Sequence, residues 1–212
     1  GYSEMLTIID YGVGNLRSVY MAFQRLGVKS RVSSQAREIR QAQAVILPGV
    51  GAFGDSIDNL RAMNLEQTIL DIIEDGVPFL GICMGLQLLF EIGEEMGEHR
   101  GLGVLPGRVR RFSNDLVVPH MGWNQIHQER QIPFFRGVPD DSYAYFVHSY
   151  YVDPEDDDVV AATTDYGIDY ASVVARGNLY AIQFHPEKSQ DVGERILRNF
   201  LDEAGILGET AC

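Results

Sequence analysis

Val77-Pro78-Phe79-Leu80-Gly81-Ile82-Cys83-Met84-Gly85-Leu86-Gln87-Leu88-Leu89-Phe90-Glu91 decides how this chain folds. Residues 77–82 form an apolar run of strand length, and residues 86–91 are helix-forming, so Cys83 occupies a strand-to-helix turn. A side chain on such a turn points out of the sheet edge. Gly81 and Gly85 let neighbouring backbone approach where a Cβ would clash, which is the logic of the G-x-S-x-G elbow with sulfur in place of oxygen. A free thiol of pKa ~8.5 is only a few per cent thiolate at neutral pH. The unpaired N–H groups at a helix start favour the anion. Most lone cysteines are small core residues, and the pentapeptide alone leaves both readings open.

Gln183-Phe184-His185-Pro186-Glu187 shifts the balance. It follows the strand-like Leu179-Tyr180-Ala181-Ile182. Residues i and i+2 of an extended segment face the same way, so Glu187 is placed beside His185, and Pro186 is expected to keep the segment from turning helical. A nucleophilic cysteine needs a base to take its proton and later deliver it to the leaving amine, and the base needs an acceptor that fixes its tautomer. Cys83, His185 and Glu187 supply all three parts. Taken singly, His185 would be read as a structural histidine; the elbow reverses that preference.

Working outward, residues 6–10 read as a buried first strand, and residues 15–26 repeat apolar positions at helical spacing (Leu16, Val19, Tyr20, Phe23, Leu26). Short strands are expected near 29–32 and 44–47, with a short helix near 36–40 between them and a helix over 60–74. This alternation predicts a mostly parallel central sheet flanked by helices. After about Gly101 the pattern changes to β-like pieces at 108–112, 122–126, 144–147, 159–164, 170–174 and 179–184. These are expected to be additional, mostly antiparallel strands in the C-terminal half. A closing helix over 192–204 packs its apolar stripe back on the sheet. The reactive residues then converge at the carboxyl ends of strands, where open α/β sheets place their sites.

With 212 residues, 45% of them hydrophobic, the chain is expected to form a single domain over 1–212. Gly1-Tyr2-Ser3-Glu4 precedes Met5 and the first strand, reads as a remnant, and is set aside from fold reasoning. There is no apolar run near the ~20 residues a bilayer requires and nothing like a cleavable signal peptide. Two cysteines, one of them Cys212, make no disulfide framework, which fits a reducing cytoplasm; Cys212 reads as a frayed bystander. A formal charge of −13 argues against nucleic-acid binding, which needs clustered Lys and Arg. The acidic Glu155-Asp156-Asp157-Asp158 reads as a solvated turn, since it lacks the glycine and closing glutamate of a calcium loop. No metal and no cofactor are expected.

Two glycine loops remain. Tyr11-Gly12-Val13-Gly14-Asn15-Leu16-Arg17 follows a strand, but Arg17 stands where a dinucleotide fingerprint has its third glycine, and no acidic residue lies about 20 positions on. A tight turn is the preferred reading. Pro48-Gly49-Val50-Gly51-Ala52-Phe53-Gly54-Asp55 frees several backbone N–H groups to point at one place, the design of an oxyanion hole. The N–H of Met84, just after the nucleophile, is the natural second donor.

Together these residues resemble the triad-type class I glutamine amidotransferases, through Gly81-Ile82-Cys83-Met84-Gly85-Leu86-Gln87 and His185-Pro186-Glu187. Within them, Ile9 to Leu16, Pro48 to Gly54, His120-Met121-Gly122-Trp123-Asn124, Tyr145-Phe146-Val147-His148-Ser149-Tyr150 and His185-Pro186-Glu187-Lys188-Ser189 are similar to the glutaminase subunits of imidazole glycerol phosphate synthases. The resemblance implies that Cys83 attacks the side-chain amide of glutamine, His185 protonates departing ammonia, Glu187 orients it, and water cleaves the thioester. It implies that Gly51 and Met84 serve the oxyanion and that Gln87, Glu95, Ser149 and Tyr150 hold the substrate. It further implies a cyclase (β/α)₈-barrel partner, forming a heterodimer, that uses the ammonia in histidine biosynthesis, with Asn15, Trp123 and Lys188 at or near the interface. This chain is too short to include such a barrel, which takes ~250 residues. A glutaminase feeding a different synthase and a cysteine hydrolase of γ-glutamyl conjugates are the rival enzyme readings. A binding module descended from an enzyme would normally have lost one of the triad residues.

Overall fold

A computed structural model of the chain describes residues 5–206. The four leading residues read as a remnant, and Cys212, lie outside the described residues. Strands β1 (Leu6–Ile9), β2 (Ser30–Ser33), β3 (Ala44–Leu47) and β4 (Phe79–Ile82) alternate with helices α1 (Leu16–Arg25), α2 (Ala36–Arg40), α3 (Phe53–Ala62) and α4 (Glu66–Glu74). Every residue of β1, β3 and β4 is buried, as both faces of the sheet are covered. Alternate side chains enter opposite layers. Leu6, Ile8, Ala44, Ile46, Leu80 and Ile82 pack with Val19 and Phe23 of α1, whereas Ile9, Val45, Leu47 and Phe79 pack with Ile57 and Leu60 of α3 and Ile69 of α4. Each such burial contributes about 1.5–3 kcal/mol, while helices this short are marginal alone. The sheet therefore holds its helices rather than the reverse.

The chain continues through α5 (Met84–Gln87), β5 (Phe90–Gly93), β6 (His99–Arg100), β7 (Leu105–Arg111), β8 (His120–Gln128), β9 (Ser142–His148), β10 (Tyr150–Pro154), β11 (Val160–Asp165), β12 (Asp169–Arg176), β13 (Leu179–Ile182) and α6 (Gln190–Glu203). The strand order is β2-β1-β3-β4-β13-β12-β10-β7-β5-β6, with β11 attached to β12 and the β8-β9 hairpin attached to β11. From β2 through β13 every pairing is parallel. Beyond β13 the pairings are antiparallel apart from β5 with β7. The α/β class expected from the sequence, with antiparallel strands added in the C-terminal half, is the one observed.

Three local expectations are corrected. The helix expected over 60–74 is two helices, broken where Asn64 takes φ 56° and Leu65 turns into the core. The first of them starts inside the glycine loop at Phe53, whose N–H is taken by the Glu95 carboxylate at 3.1 Å. The helix expected over 86–91 is instead one turn at Met84–Gln87, because Phe90 to Gly93 joins the sheet beside β7. Finally, residues 186–188 form a 3₁₀ turn instead of extended chain. Proline is tolerated at the first position of a helical turn, where its missing N–H is not needed.

The glycines of the elbow hold as expected. A Cβ on Gly85 would lie 1.9 Å from the Leu47 carbonyl oxygen, and one on Gly81 would lie 2.8 Å from the Gly85 carbonyl oxygen. Backbone cannot retreat here without opening the β3-β4 pairing. Gly85→Ala is expected to cost about 3 kcal/mol or more, read as a lowered thermal midpoint; an unchanged midpoint would show that the elbow has room to spare.

Candidate active site

β1, β3, β4 and β13 all end on one side of the sheet, and each delivers a piece of the site. Cys83 follows β4 directly, with φ 57° and ψ −110°, a conformation that costs a non-glycine residue about 1–3 kcal/mol. Neighbouring bonds hold it there: Cys83 N–H donates to the Ile182 carbonyl at 2.8 Å, and Leu86 N–H donates to the Cys83 carbonyl at 3.0 Å. His185 lies three residues past the end of β13. Its N–H donates to the Tyr145 carbonyl at 3.0 Å, and its own carbonyl accepts from the Ser189 hydroxyl at 2.6 Å, while that hydroxyl accepts from Tyr145 N–H at 3.0 Å. His185 is thus clamped from both sides by β9 and the start of α6.

His185 and Glu187 pair at 2.9 Å, Nδ1 to Oε1, with side chains 3% and 2% exposed. Because a carboxylate only accepts, Nδ1 carries the proton and Nε2 is left to face the thiol. Nε2 makes no hydrogen bond in this arrangement, and Cys83 is the group close enough on that side to influence the charge of the ring. Burial opposes charging the ring, yet the adjacent Cys83 and Glu187 together outweigh it and raise the His185 pKa to about 10. Burial likewise opposes ionising Glu187, but hydrogen bonds from His185 and Asn15 hold its pKa below the usual range. Asn15 reaches it from the start of α1, Nδ2 to Oε1 at 3.1 Å. A residue expected at the partner interface therefore also braces the carboxylate behind the base.

A cavity of about 340 Å³ opens over the sulfur, lined by Cys83, His185, Gly51, Met84, Gln87, Glu95, Ser149, Tyr150, Asn15 and Lys188 among others. Of the residues singled out in the sequence, Glu187 stands behind His185, and Trp123 alone is remote from the cavity. Trp123 is 47% exposed on β8 and packs edge-on against Tyr145 at 5.9 Å. Lys188 Nζ lies 5.9 Å over the same tyrosine ring. The two residues read as interface positions thus share one aromatic neighbour, and that neighbour holds the His185 backbone.

Of the two expected oxyanion donors, Met84 N–H is already occupied in this arrangement. Met84 N–H donates to the Gly49 carbonyl at 3.2 Å and so does not point at the cavity. The loop is held in this state by Tyr11, whose buried hydroxyl donates to the Pro48 carbonyl at 2.6 Å. Gly49 is required for the fit, since a Cβ there would lie 2.1 Å from that hydroxyl. Val50 also lines the cavity. Tyr11, Val50, Gln183 and Ser189 were not assigned roles from the sequence. All four stand in motifs that point to the site, but their roles depend on contacts with distant segments.

A family model described as glutamine amidotransferase class-I matches residues 7–204. Two solved structures share the fold, a glutamine amidotransferase (TM-score 0.74, 23% identity, covering 94% of this chain and 98% of that one) and PurLQS from Thermotoga maritima (TM-score 0.74, 19% identity, covering 94% and 98%). An elbow cysteine with a His–Glu pair on a parallel sheet accordingly defines a class I glutamine amidotransferase. Among relatives, imidazole glycerol phosphate synthase subunit HisH of Syntrophotalea carbinolica is 54% identical, covering 93% of this chain and all of that protein. The same subunit of Moorella thermoacetica is 51% identical, covering 92% and 93%. The chain belongs to the HisH family of imidazole glycerol phosphate synthase subunits.

Beside the cavity lies a buried polar cluster. His148 Nδ1 donates to the Tyr150 carbonyl at 2.8 Å, so its Nε2 accepts, from His120 Nδ1 at 3.2 Å and the Tyr170 hydroxyl at 3.1 Å. Asn124 Nδ2 lies 3.3 Å from His120 Nε2, completing a network satisfied with both rings neutral. Burial lowers His120 to about 4; for His148, burial first and then the neighbouring histidines lower it to about 3. Below pH ~6.5 the unfolded chain protonates these rings while the native protein does not, so stability falls as pH falls. His185, already charged in the native protein, acts in the opposite sense and offsets only part of this loss, since two rings outweigh one. The loss is expected to reach about 1.4 kcal/mol per ring by pH 5.5, seen as a falling thermal midpoint that His148→Gln makes shallower. A midpoint flat between pH 7 and 5.5 would contradict the neutral cluster.

Proposed function

We propose that this chain hydrolyses glutamine to glutamate and ammonia on Cys83 and passes the ammonia to a cyclase (β/α)₈-barrel subunit in histidine biosynthesis. The carrying observation is the buried His185–Glu187 pair whose free ring nitrogen faces the elbow sulfur. The thiolate attacks the amide carbon and His185 Nε2 gives its proton to the leaving nitrogen, so the C–N bond breaks and ammonia departs from a thioester. Water then loses a proton to His185 as it adds to the thioester, and the C–S bond breaks to return thiolate and release glutamate. Glu187, braced by Asn15, keeps the ring in the right tautomer throughout.

Substrate is held by acceptors and backbone around the cavity. Both N–H groups of the Gln87 amide are already used, one on the Tyr150 carbonyl at 3.2 Å and one on Gln183 Oε1 at 3.1 Å. Its oxygen is then the group left to accept from a glutamine ammonium. Glu95 spends one oxygen on Phe53 N–H and offers the other to the same ammonium. Ser149 and Tyr150 form the facing wall.

The oxyanion hole assigned to Gly51 and Met84 is closed in this arrangement by the Gly49 carbonyl. Because that carbonyl and the Val50 N–H belong to one planar peptide, turning the carbonyl away frees Met84 and brings Val50 N–H round to the cavity. A partner that docks beside this loop can drive the turn. On the outer face of the hairpin, Met121, Trp123 and Tyr143 are exposed apolar side chains next to Tyr145 and Lys188. Such a patch suits a protein interface, and we assign it to the cyclase. A cytoplasmic location agrees with the need for a reduced thiol, and no described helix is long and apolar enough to cross a membrane.

Cys83→Ala is expected to fold normally and to lose glutamine hydrolysis entirely; ammonia release persisting in that variant would refute the assignment. Glutamate formation by the chain alone is expected to be slow, and a cyclase barrel with its ribonucleotide ligand is expected to raise it by about 10²-fold or more, the worth of an oxyanion donor. Equal rates with and without the barrel would remove the proposed gating of the Gly49 peptide.

A further inference from the structure

Gln183 is fully buried between the nucleophile and the substrate wall, one residue beyond β13. Its backbone N–H is satisfied by the Ser172 carbonyl at 2.9 Å, and its side chain turns towards the elbow, with Nε2 3.7 Å from Cys83 Sγ. That separation suits an N–H···S hydrogen bond, provided the amide is oriented nitrogen towards sulfur. The neighbours settle the orientation. The Tyr150 carbonyl can only accept, so Gln87 must present its nitrogen there; the second N–H of that nitrogen then faces Gln183, which must answer with its oxygen. The Gln183 nitrogen is left facing the sulfur. The reversed amide would set nitrogen against nitrogen in a site closed to water, the costly case of buried donors without acceptors.

We propose that Gln183 is a catalytic residue of this site, donating a hydrogen bond to the Cys83 sulfur that stabilises its thiolate form, in an orientation relayed from the Tyr150 carbonyl through Gln87. The inference rests on the reading of Cys83 as the nucleophile. A neutral donor suits the position. It favours the anion without adding a second cation to compete with His185 for the thiolate, and it stays in place through attack and thioester cleavage. A charge-assisted bond of this kind is stronger than one to the neutral thiol, so its benefit falls on the reactive state.

The test follows the pH dependence of Cys83 alkylation by iodoacetamide in the full chain, with Cys212→Ser so that a single thiol remains. Gln183→Met keeps the volume and removes the donor; the midpoint of its alkylation profile is expected to move up by about one pH unit, with roughly tenfold slower alkylation below both midpoints. Gln183→Glu, which sets a carboxylate against the sulfur, is expected to move it further in the same direction. Gln87→Met, which frees the Gln183 amide to rotate, is expected to produce a smaller upward move. In the chain with Gln183 intact, the side-chain amide protons of Gln183, followed by ¹⁵N NMR, are expected to shift across the same pH range as Cys83 ionises. An alkylation midpoint unmoved in a folded Gln183→Met protein, or Gln183 amide resonances indifferent to Cys83 ionisation, overturns the proposal. Loss of hydrolysis in Cys83→Ala is a separate readout, so the nucleophile assignment stands or falls independently of this one.

Discussion

The parallel pairing of β4 with β13 is the constraint on which the site depends. Ile82 lies opposite Ile182, and the ladder is extended one step by the bond from Cys83 N–H to the Ile182 carbonyl. From that step β4 turns sharply into the elbow while the other chain runs on to His185. Two residues a hundred positions apart are thereby set side by side by backbone hydrogen bonds, with no side chain needed to bring them together. A slip of one residue in this register would turn every side chain of β13 to the opposite face and carry the His185 segment out of line with Cys83. The two apolar layers, which interleave alternate side chains of β4, prevent that slip.

Around this fixed pair the site combines rigid and adjustable parts. The side chains of Cys83, His185 and Glu187 are buried, and each has partners that specify its position: Ile182 and Leu86 for Cys83, Tyr145 and Ser189 for His185, Asn15 for Glu187. The loop after β3 is different. Its glycines accept unusual backbone conformations, with Gly51 at φ 101°, and its closed state is held by the Met84 and Tyr11 hydrogen bonds. A hydrogen bond contributes about 1 kcal/mol net, so this loop can shift without disturbing Cys83, His185 or Glu187. The β8-β9 hairpin that exposes Met121, Trp123 and Tyr143 also grips the His185 segment through Tyr145.

Much of this was legible in the sequence for identifiable reasons. The parallel strands are short unbroken apolar runs bounded by turn residues, and periodicity locates them to within a residue or two. Gly81 and Gly85 announce the elbow because only glycine allows backbone approaches of that closeness. The misread elements are those in which long-range contact overrides local preference. Phe90 to Gly93 would serve in a helix, but the neighbouring β7 strand takes up its backbone. Phe53 begins a helix within a glycine-rich loop because the Glu95 carboxylate, far along the chain, satisfies its N–H. Asn15 was legible as a site residue, yet its hold on Glu187 spans nearly the whole chain and has no local signature.

By itself the sequence determined the chemical inventory: a thiol on a glycine-flanked turn, an imidazole with a carboxylate two residues on, a glycine loop for an oxyanion, and the alternation that makes an α/β sheet. These follow from residue type and short-range spacing, which the chain carries without folding. Only the tertiary structure decided which N–H groups are free, since Met84 is occupied by the Gly49 carbonyl, and which way the buried amides of Gln87 and Gln183 point. Hydrogen-bond partners around the buried amides are settled by groups from several separate segments meeting at once, and no local stretch of sequence contains that meeting.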